Sequence, residues 1–119
     1  MKEYRDNGFP VTIIRPSHTY GHFWPVAMSG DNGCWQVIKR LKEGKPLILH
    51  ADGLSLWTVT HSSDVAKGVY GLMGNIHALG EAVHITSDEV LTWNQIYQTI
   101  ADALGVEFKP FYVASSFLF

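Results

Sequence analysis

Cysteine is almost absent from this sequence: Cys34 is the single one in 119 residues. A lone thiol excludes an internal disulfide and a four-cysteine zinc site. With no base beside it, Cys34 reads as a small buried hydrophobe. Charge of one sign is also missing. The net charge is −2, which gives no electrostatic reason to expect nucleic acid or anionic membrane as a partner. No apolar run approaches the roughly 20 residues that span a bilayer, and no repeat or low-complexity segment occurs. Met1 is followed by the polar stretch Lys-Glu-Tyr-Arg-Asp-Asn rather than an apolar leader, so a reducing, cytoplasmic setting is expected. His18 and His22 stand four apart, a spacing that chelates metal on a helix. Pro16 and Gly21 argue for a loop instead, and no Glu lies between the two histidines. No metal site is expected.

What is present is a globular composition, 46% hydrophobic and 17% charged. It suits one domain at most, or a piece of one. Met1–Asn7 looks like the last turns of a helix stopped by Gly8. A helix tail with no beginning suggests a piece of a longer protein. Val11–Ile14 is a run of β-formers, expected to be a strand buried on both faces. Pro16 lacks an N–H, so the chain is expected to turn out of the sheet there. Ser17, His18, Thr19 and Tyr20 then form a polar exit loop closed by Gly21. In open α/β sheets that carboxyl edge is where ligands bind. Arg15 reads as a structural ion-pair partner.

Further on, His22–Asn32 reads as loop. Gly33–Glu43 carries a helical stripe at Cys34, Val37, Ile38 and Leu41, and Gly44 ends it. Pro46–Leu49 is a short strand, followed by a turn at Ala51–Leu54. Leu56–His61 alternates, with Trp57, Val59 and His61 on one face. Ser62, Ser63 and Asp64 are expected to cap the next helix, whose stripe is Val65, Val69, Leu72, Met73 and Ile76. Ala82–Ile85 is a strand. Thr92-Trp-Asn-Gln95 fits a capping box, before a helix that buries Trp93, Ile96, Tyr97, Ile100 and Leu104 and stops at Gly105. Glu107–Val113 is a last extended segment. His61 and His84 are expected to satisfy core hydrogen bonds. Alternating strands and helices mean an α/β fold with parallel strands.

Several stretches carry a resemblance. Val11–Gly21 runs from a strand ending in Arg15-Pro16 to a loop ending in Tyr20-Gly21. Gly44-Lys-Pro-Leu-Ile-Leu-His-Ala-Asp-Gly53 is followed by Trp57-Thr-Val-Thr-His61 and Ser63-Asp64-Val-Ala-Lys-Gly68, and later by Gly80-Glu-Ala-Val-His-Ile-Thr86. In this order they resemble the extended short-chain dehydrogenase/reductases, the NAD-dependent epimerase/dehydratase branch that acts on sugar nucleotides. The resemblance runs from Gly8 to Val113. It implies the C-terminal, substrate-binding portion of a Rossmann-like α/β protein, one domain over residues 1–119 with three main helices and short strands.

By the same resemblance, Pro16, Ser17 and His18 would shape the site near the nicotinamide, with NAD or NADP as cofactor of the parent protein. Ser17, His18, Trp35 and Trp57 would meet a sugar or sugar-nucleotide-like substrate, although aromatic residues at such spacings are usually core. The other implied partner is the upstream Rossmann half of the same protein; a homodimer stays open. Two family features are missing. No glycine-rich turn directly follows a predicted strand. No tyrosine has a lysine four residues later: after Tyr4, Tyr20, Tyr70, Tyr97 and Tyr112 come Gly8, Trp24, Gly74, Ala101 and Ser116. No catalytic residue is therefore assigned, and the isolated chain is expected to be inactive and to bind no cofactor tightly. Trp57 also stands where many sugar-nucleotide enzymes place an Arg against the substrate pyrophosphate. The alternative is a non-catalytic binding protein on the same scaffold, RNA-binding as in the chloroplast stem-loop-binding relatives.

Overall fold

Residues 2–22 and 35–117 are described by the structure, a computed structural model. Cys34 and most of the expected loop after His22 lie outside them. The order of elements is α1 (Lys2–Asn7), β1 (Ile13–Pro16), β2 (His18–Tyr20), α2 (Trp35–Lys42), β3 (Leu47–His50), β4 (Leu56–Trp57), β5 (Val59–His61), α3 (Ser62–Leu72), β6 (Ala82–Ile85), β7 (Leu91–Thr92), α4 (Trp93–Leu104) and β8 (Pro110–Val113). Short 3-10 turns follow α3 and β8. The chain divides into two compact units, residues 1–21 with 58–88 and residues 22–57 with 89–119.

In the first unit β1 pairs in parallel with β6, Ile13 opposite Ala82 and Pro16 opposite Ile85. The strand ends at Pro16 and the chain leaves this sheet there, as expected from its missing N–H, but it passes extended into a second pairing rather than into a loop. The amides of Ile13 and Ser17 donate to Glu81 O and Ile85 O. Donors toward β6 thus fall on odd positions, and the nitrogen of Pro16 belongs to the set that faces away from it. After Ser17 the chain remains extended. His18–Tyr20 is strand β2, not loop, and pairs in parallel with β5, His18 opposite Val59 and Tyr20 opposite His61. β1 is half-buried at Ile13 and Ile14 and exposed at Arg15 and Pro16, so it is not buried on both faces. Arg15 makes no ion pair among the described residues, and His84, opposite it in register, is exposed rather than in the core. The apolar stripe of α3 holds at Val65, Val69 and Leu72. It fails at Met73 and Ile76, which are exposed because the helix ends at Leu72. Gly80 turns the chain at φ +79, where an added Cβ would run into the ring of Tyr4.

The second unit holds most of the buried apolar residues. Val37 and Leu41 of α2, Leu47 and Leu49 of β3, and Trp93, Ile96, Tyr97 and Ala101 of α4 are all buried. β3 pairs in parallel with β8, and β4 with β7 antiparallel. Leu56–His61 is therefore two strands, one in each unit, rather than one alternating strand. Thr92 and Gln95 form the expected capping box at the start of α4. Asn94 ties the Ala51–Leu54 turn to that helix, its side-chain amide donating to Asp52 O at 3.0 Å and its backbone N–H to Gly53 O.

Two substitutions report on these constraints. Thr92→Ala removes the cap and is expected to cost about 1 kcal/mol. Gly80→Ala forces a side chain into a left-handed backbone against Tyr4 and is expected to cost more than about 1 kcal/mol. Urea denaturation of the two variants against the wild type checks both values.

Candidate functional site

Ser17 sits where one continuous run of chain leaves β6 and joins β5. Its N–H donates to Ile85 O at 3.0 Å, and its carbonyl accepts from Thr19 Oγ1 at 3.0 Å. Its Oγ lies 2.6 Å from Thr60 Oγ1. Thr60, in the middle of β5, is 4% exposed, and its hydroxyl also accepts from the Ser87 N–H at 2.9 Å. Three segments are thus joined: Ser17 and Ser87 just past the carboxyl ends of the parallel strands β1 and β6, the kind of edge at which α/β sheets take ligands, and Thr60 within β5. An unmet polar group buried here would cost about 1–3 kcal/mol, so the cluster holds the split strand in place. Thr60 and Ser87 were not singled out by the sequence. The one signal was polarity at a strand position with apolar neighbours, which calls for a partner that spacing does not identify.

His18 lies on the opposite side of β2 from Ser17 and is half-buried. Burial holds its imidazole below the usual histidine range. Tyr20, two residues on, meets His61 edge-on with ring centroids 5.3 Å apart. His61 is the N-cap of α3, accepting from the Ser63 N–H and lying 2.8 Å from Ser63 Oγ. The cap is therefore His61 rather than the serines that follow it, and His61 is not a core hydrogen-bonder. Ser62 begins the helix, and Asp64 pairs with Lys67 at 2.8 Å. A Cβ at Gly21 would stand 2.8 Å from Ser62 Oγ, so that exposed hydroxyl would have to rotate away. His22 is exposed at the end of this segment.

Trp35 and Trp57 belong to the second unit and not to the unit of Ser17 and His18. Neither is core. Trp35 opens α2 with 59% of its surface exposed. Trp57 is 41% exposed and rests on Trp93 at 5.6 Å between ring centroids, tilted by 33°. Trp93 continues to Tyr97 at 5.9 Å, and Tyr97 stacks on Phe108 at 6.1 Å. Trp57 is thus the exposed end of an aromatic row, able to stack on a ring but unable to neutralise a phosphate. The same unit has an open groove of about 410 Å³ lined by Asn94, Gln95, Gln98, Phe108, Pro110 and Tyr112. Tyr112 donates from its hydroxyl to Asn94 Oδ1 at 3.1 Å there. Among the described residues no group of three His, Cys, Asp or Glu side chains is placed to hold a metal ion. No helix among them is long and apolar enough to cross a membrane.

Comparison with known proteins supplies the family. The model of the NAD dependent epimerase/dehydratase family matches residues 1–86. The chain is similar to a 2'-dehydrokanamycin reductase of Streptomyces kanamyceticus, 32% identical over 67% of this chain and 22% of the relative. It is also similar to the chloroplast stem-loop binding protein of 41 kDa b of Arabidopsis thaliana, 27% identical over 85% of this chain and 25% of the relative. It therefore spans about a quarter of the length of these curated relatives. Among solved structures, a dTDP-glucose 4,6-dehydratase from Bacillus anthracis in complex with NAD matches with a TM-score of 0.78. That match has 23% identity and covers 95% of this chain and 35% of the other. The α/β fold implied by the resemblance is thereby established.

The described residues do not fit the pyrophosphate of a dinucleotide. Gly71 lies inside α3 and Gly74 just beyond it, neither between a strand and a helix start. Of the direct strand-to-helix passages, β7 to α4 is closed by the capping box of Thr92 and Gln95, and β5 to α3 is closed by His61 and Ser63 and carries Asp64 in its first turn. A carboxylate there repels a phosphate at the helix N-terminus.

The lowered proton affinity of His18 has a consequence for stability. The unfolded chain binds that proton more tightly, so the contribution is fully present above about pH 6.5 and is lost as pH falls through the lower, folded value. His18→Gln is expected to flatten the fall in urea midpoint between about pH 7 and pH 5. Midpoints measured across that range in both proteins check the expectation.

Proposed function

This chain belongs to the NAD-dependent epimerase/dehydratase family, and we propose that it is the substrate-side portion of an NAD(P)-dependent oxidoreductase acting on a sugar or sugar nucleotide. The observation that carries this reading is Ser17, held by backbone and hydroxyl contacts at the carboxyl edge of parallel strands. In the first unit Pro16, Ser17 and His18 border the nicotinamide end of the cofactor, and Ser17 and His18 also meet substrate. In the second unit Trp35 and Trp57 supply apolar surface for a ring. The dinucleotide's phosphates and the proton-transferring tyrosine are contributed by the upstream Rossmann half, which is the partner of this chain. By itself the chain is inactive and holds no cofactor tightly, and the setting is cytoplasmic. Trp57 in place of a cation favours substrates whose phosphates are held by other residues.

The test uses the longer protein that contains this segment. NAD(P)H fluorescence and thermal shift are expected to respond to cofactor. Ser17→Ala is expected to weaken cofactor or substrate by about threefold to tenfold, the loss of one neutral hydrogen bond. A wild-type protein that responds to no cofactor and no sugar nucleotide overturns the reading.

A second reading is favoured by the match to the stem-loop binding protein. On it the chain is a non-catalytic nucleic-acid binder, and phosphate contacts would make its affinity for a stem-loop RNA fall steeply with salt. Filter binding across a salt series distinguishes the readings. The net charge of −2 favours the first, for which weak binding to RNA is expected.

A further inference from the structure

The hydroxyl cluster at the strand switch has a direction. A threonine hydroxyl carries one proton and two lone pairs. The Ser87 N–H can only donate, and it donates to Thr60 Oγ1 at 2.9 Å. The proton of Thr60 then needs an acceptor. Thr60 is 4% exposed, and among the described residues Ser17 Oγ, 2.6 Å away, is the acceptor within reach. If Ser17 donated instead, Thr60 would hold a buried proton with nowhere to place it, an arrangement that folded proteins avoid. The order is therefore Ser87 N–H to Thr60, and Thr60 O–H to Ser17. The backbone of Ser17 is already committed, its N–H to Ile85 O and its carbonyl to Thr19 Oγ1. What Ser17 has left is the proton on its own oxygen and one lone pair, on a residue that is only half-buried; the bond it accepts from Thr60 polarises that proton for donation.

We propose that Thr60 is a positioning residue that makes Ser17 a hydrogen-bond donor, so that the ligand group recognised at Ser17 is an acceptor oxygen. A carbonyl, a carboxamide oxygen or a sugar oxygen offering a lone pair fits. An ammonium or an amide N–H could use only the remaining lone pair of Ser17 and would leave its polarised proton without that ligand as acceptor. The proposal rests on the preceding reading for the presence of a ligand at Ser17. The acceptor has two sources in that reading, the carboxamide of the cofactor and an oxygen of the substrate.

The direction of the bond is tested without any ligand. In hydroxyl-selective NMR of the full chain, the slowly exchanging hydroxyl proton is expected to couple to Thr60 Cβ, with the Ser17 hydroxyl exchanging fast. A slow hydroxyl proton on Ser17 overturns the proposal. The role is tested in the longer protein with Thr60→Val, Thr60→Ser and Ser17→Ala, by reading the Kd for NAD(P) and the KM and kcat for a sugar nucleotide. Thr60→Val and Ser17→Ala are expected to weaken the same ligand by about threefold to tenfold, and Thr60→Ser is expected to restore it. Weakening confined to NAD(P) identifies the carboxamide, and weakening confined to the sugar nucleotide identifies the substrate oxygen. If wild type binds but Ser17→Ala is unchanged, the proposal fails and the functional reading stands. If wild type binds neither ligand, the functional reading fails and takes the ligand half of this proposal with it. The NMR measurement still decides the direction of the bond.

Discussion

A strand that changes neighbours midway must account for the backbone groups left at the split. In the first unit that strand is Ile13–Tyr20, paired to β6 before Ser17 and to β5 after it. Buried amides need acceptors. At this point a ladder supplies one for Ser17, and the side chain of Thr60 supplies one for Ser87. The hydroxyl of Thr60 therefore does what a backbone carbonyl does elsewhere in a sheet. The opening between diverging strands is also the reason that ligands gather at such switch points. The same feature that needs a polar clasp presents Ser17 at the edge.

The two units are stabilised differently. The second has an aromatic row from Trp57 through Trp93 and Tyr97 to Phe108, and buried apolar residues on α2, β3 and α4. Directional contacts then fasten the Asp52-Gly53 turn to α4 through Asn94. In the first unit the strands are half-buried, and Ala78 and Thr60 are the residues most removed from solvent among those described. Its order depends more on hydrogen bonds: Thr12 Oγ1 donates to Ala78 O at 2.7 Å, and Gly80 N donates to Val11 O at 2.8 Å. Because net hydrogen-bond contributions are small and unmet groups are costly, this unit is sensitive to single polar substitutions.

The side chain at Trp57 sets what this exposed part of the second unit can offer. An arginine would supply a forked pair of donors for a phosphate. Trp57 supplies a flat apolar surface backed by Trp93. The side chain stands on the two-residue strand β4 and is 41% exposed.

What the sequence determined by itself was local. The capping box at Thr92 and Gln95, the helix stops at Gly8, Gly44 and Gly105, and the strand Ala82–Ile85 follow from residues within a few positions of one another. The motif order also carried the family. Tertiary structure decided the rest. Pro16 could stay in a strand because β6 lies on the side its nitrogen does not face. Thr60 acquired its role from Ser17, 43 residues away in the chain. His61 is a cap because its imidazole accepts the Ser63 N–H. Helix ends are governed by nearest neighbours along the chain, whereas the partner of a strand or of a buried hydroxyl is chosen by what folds against it.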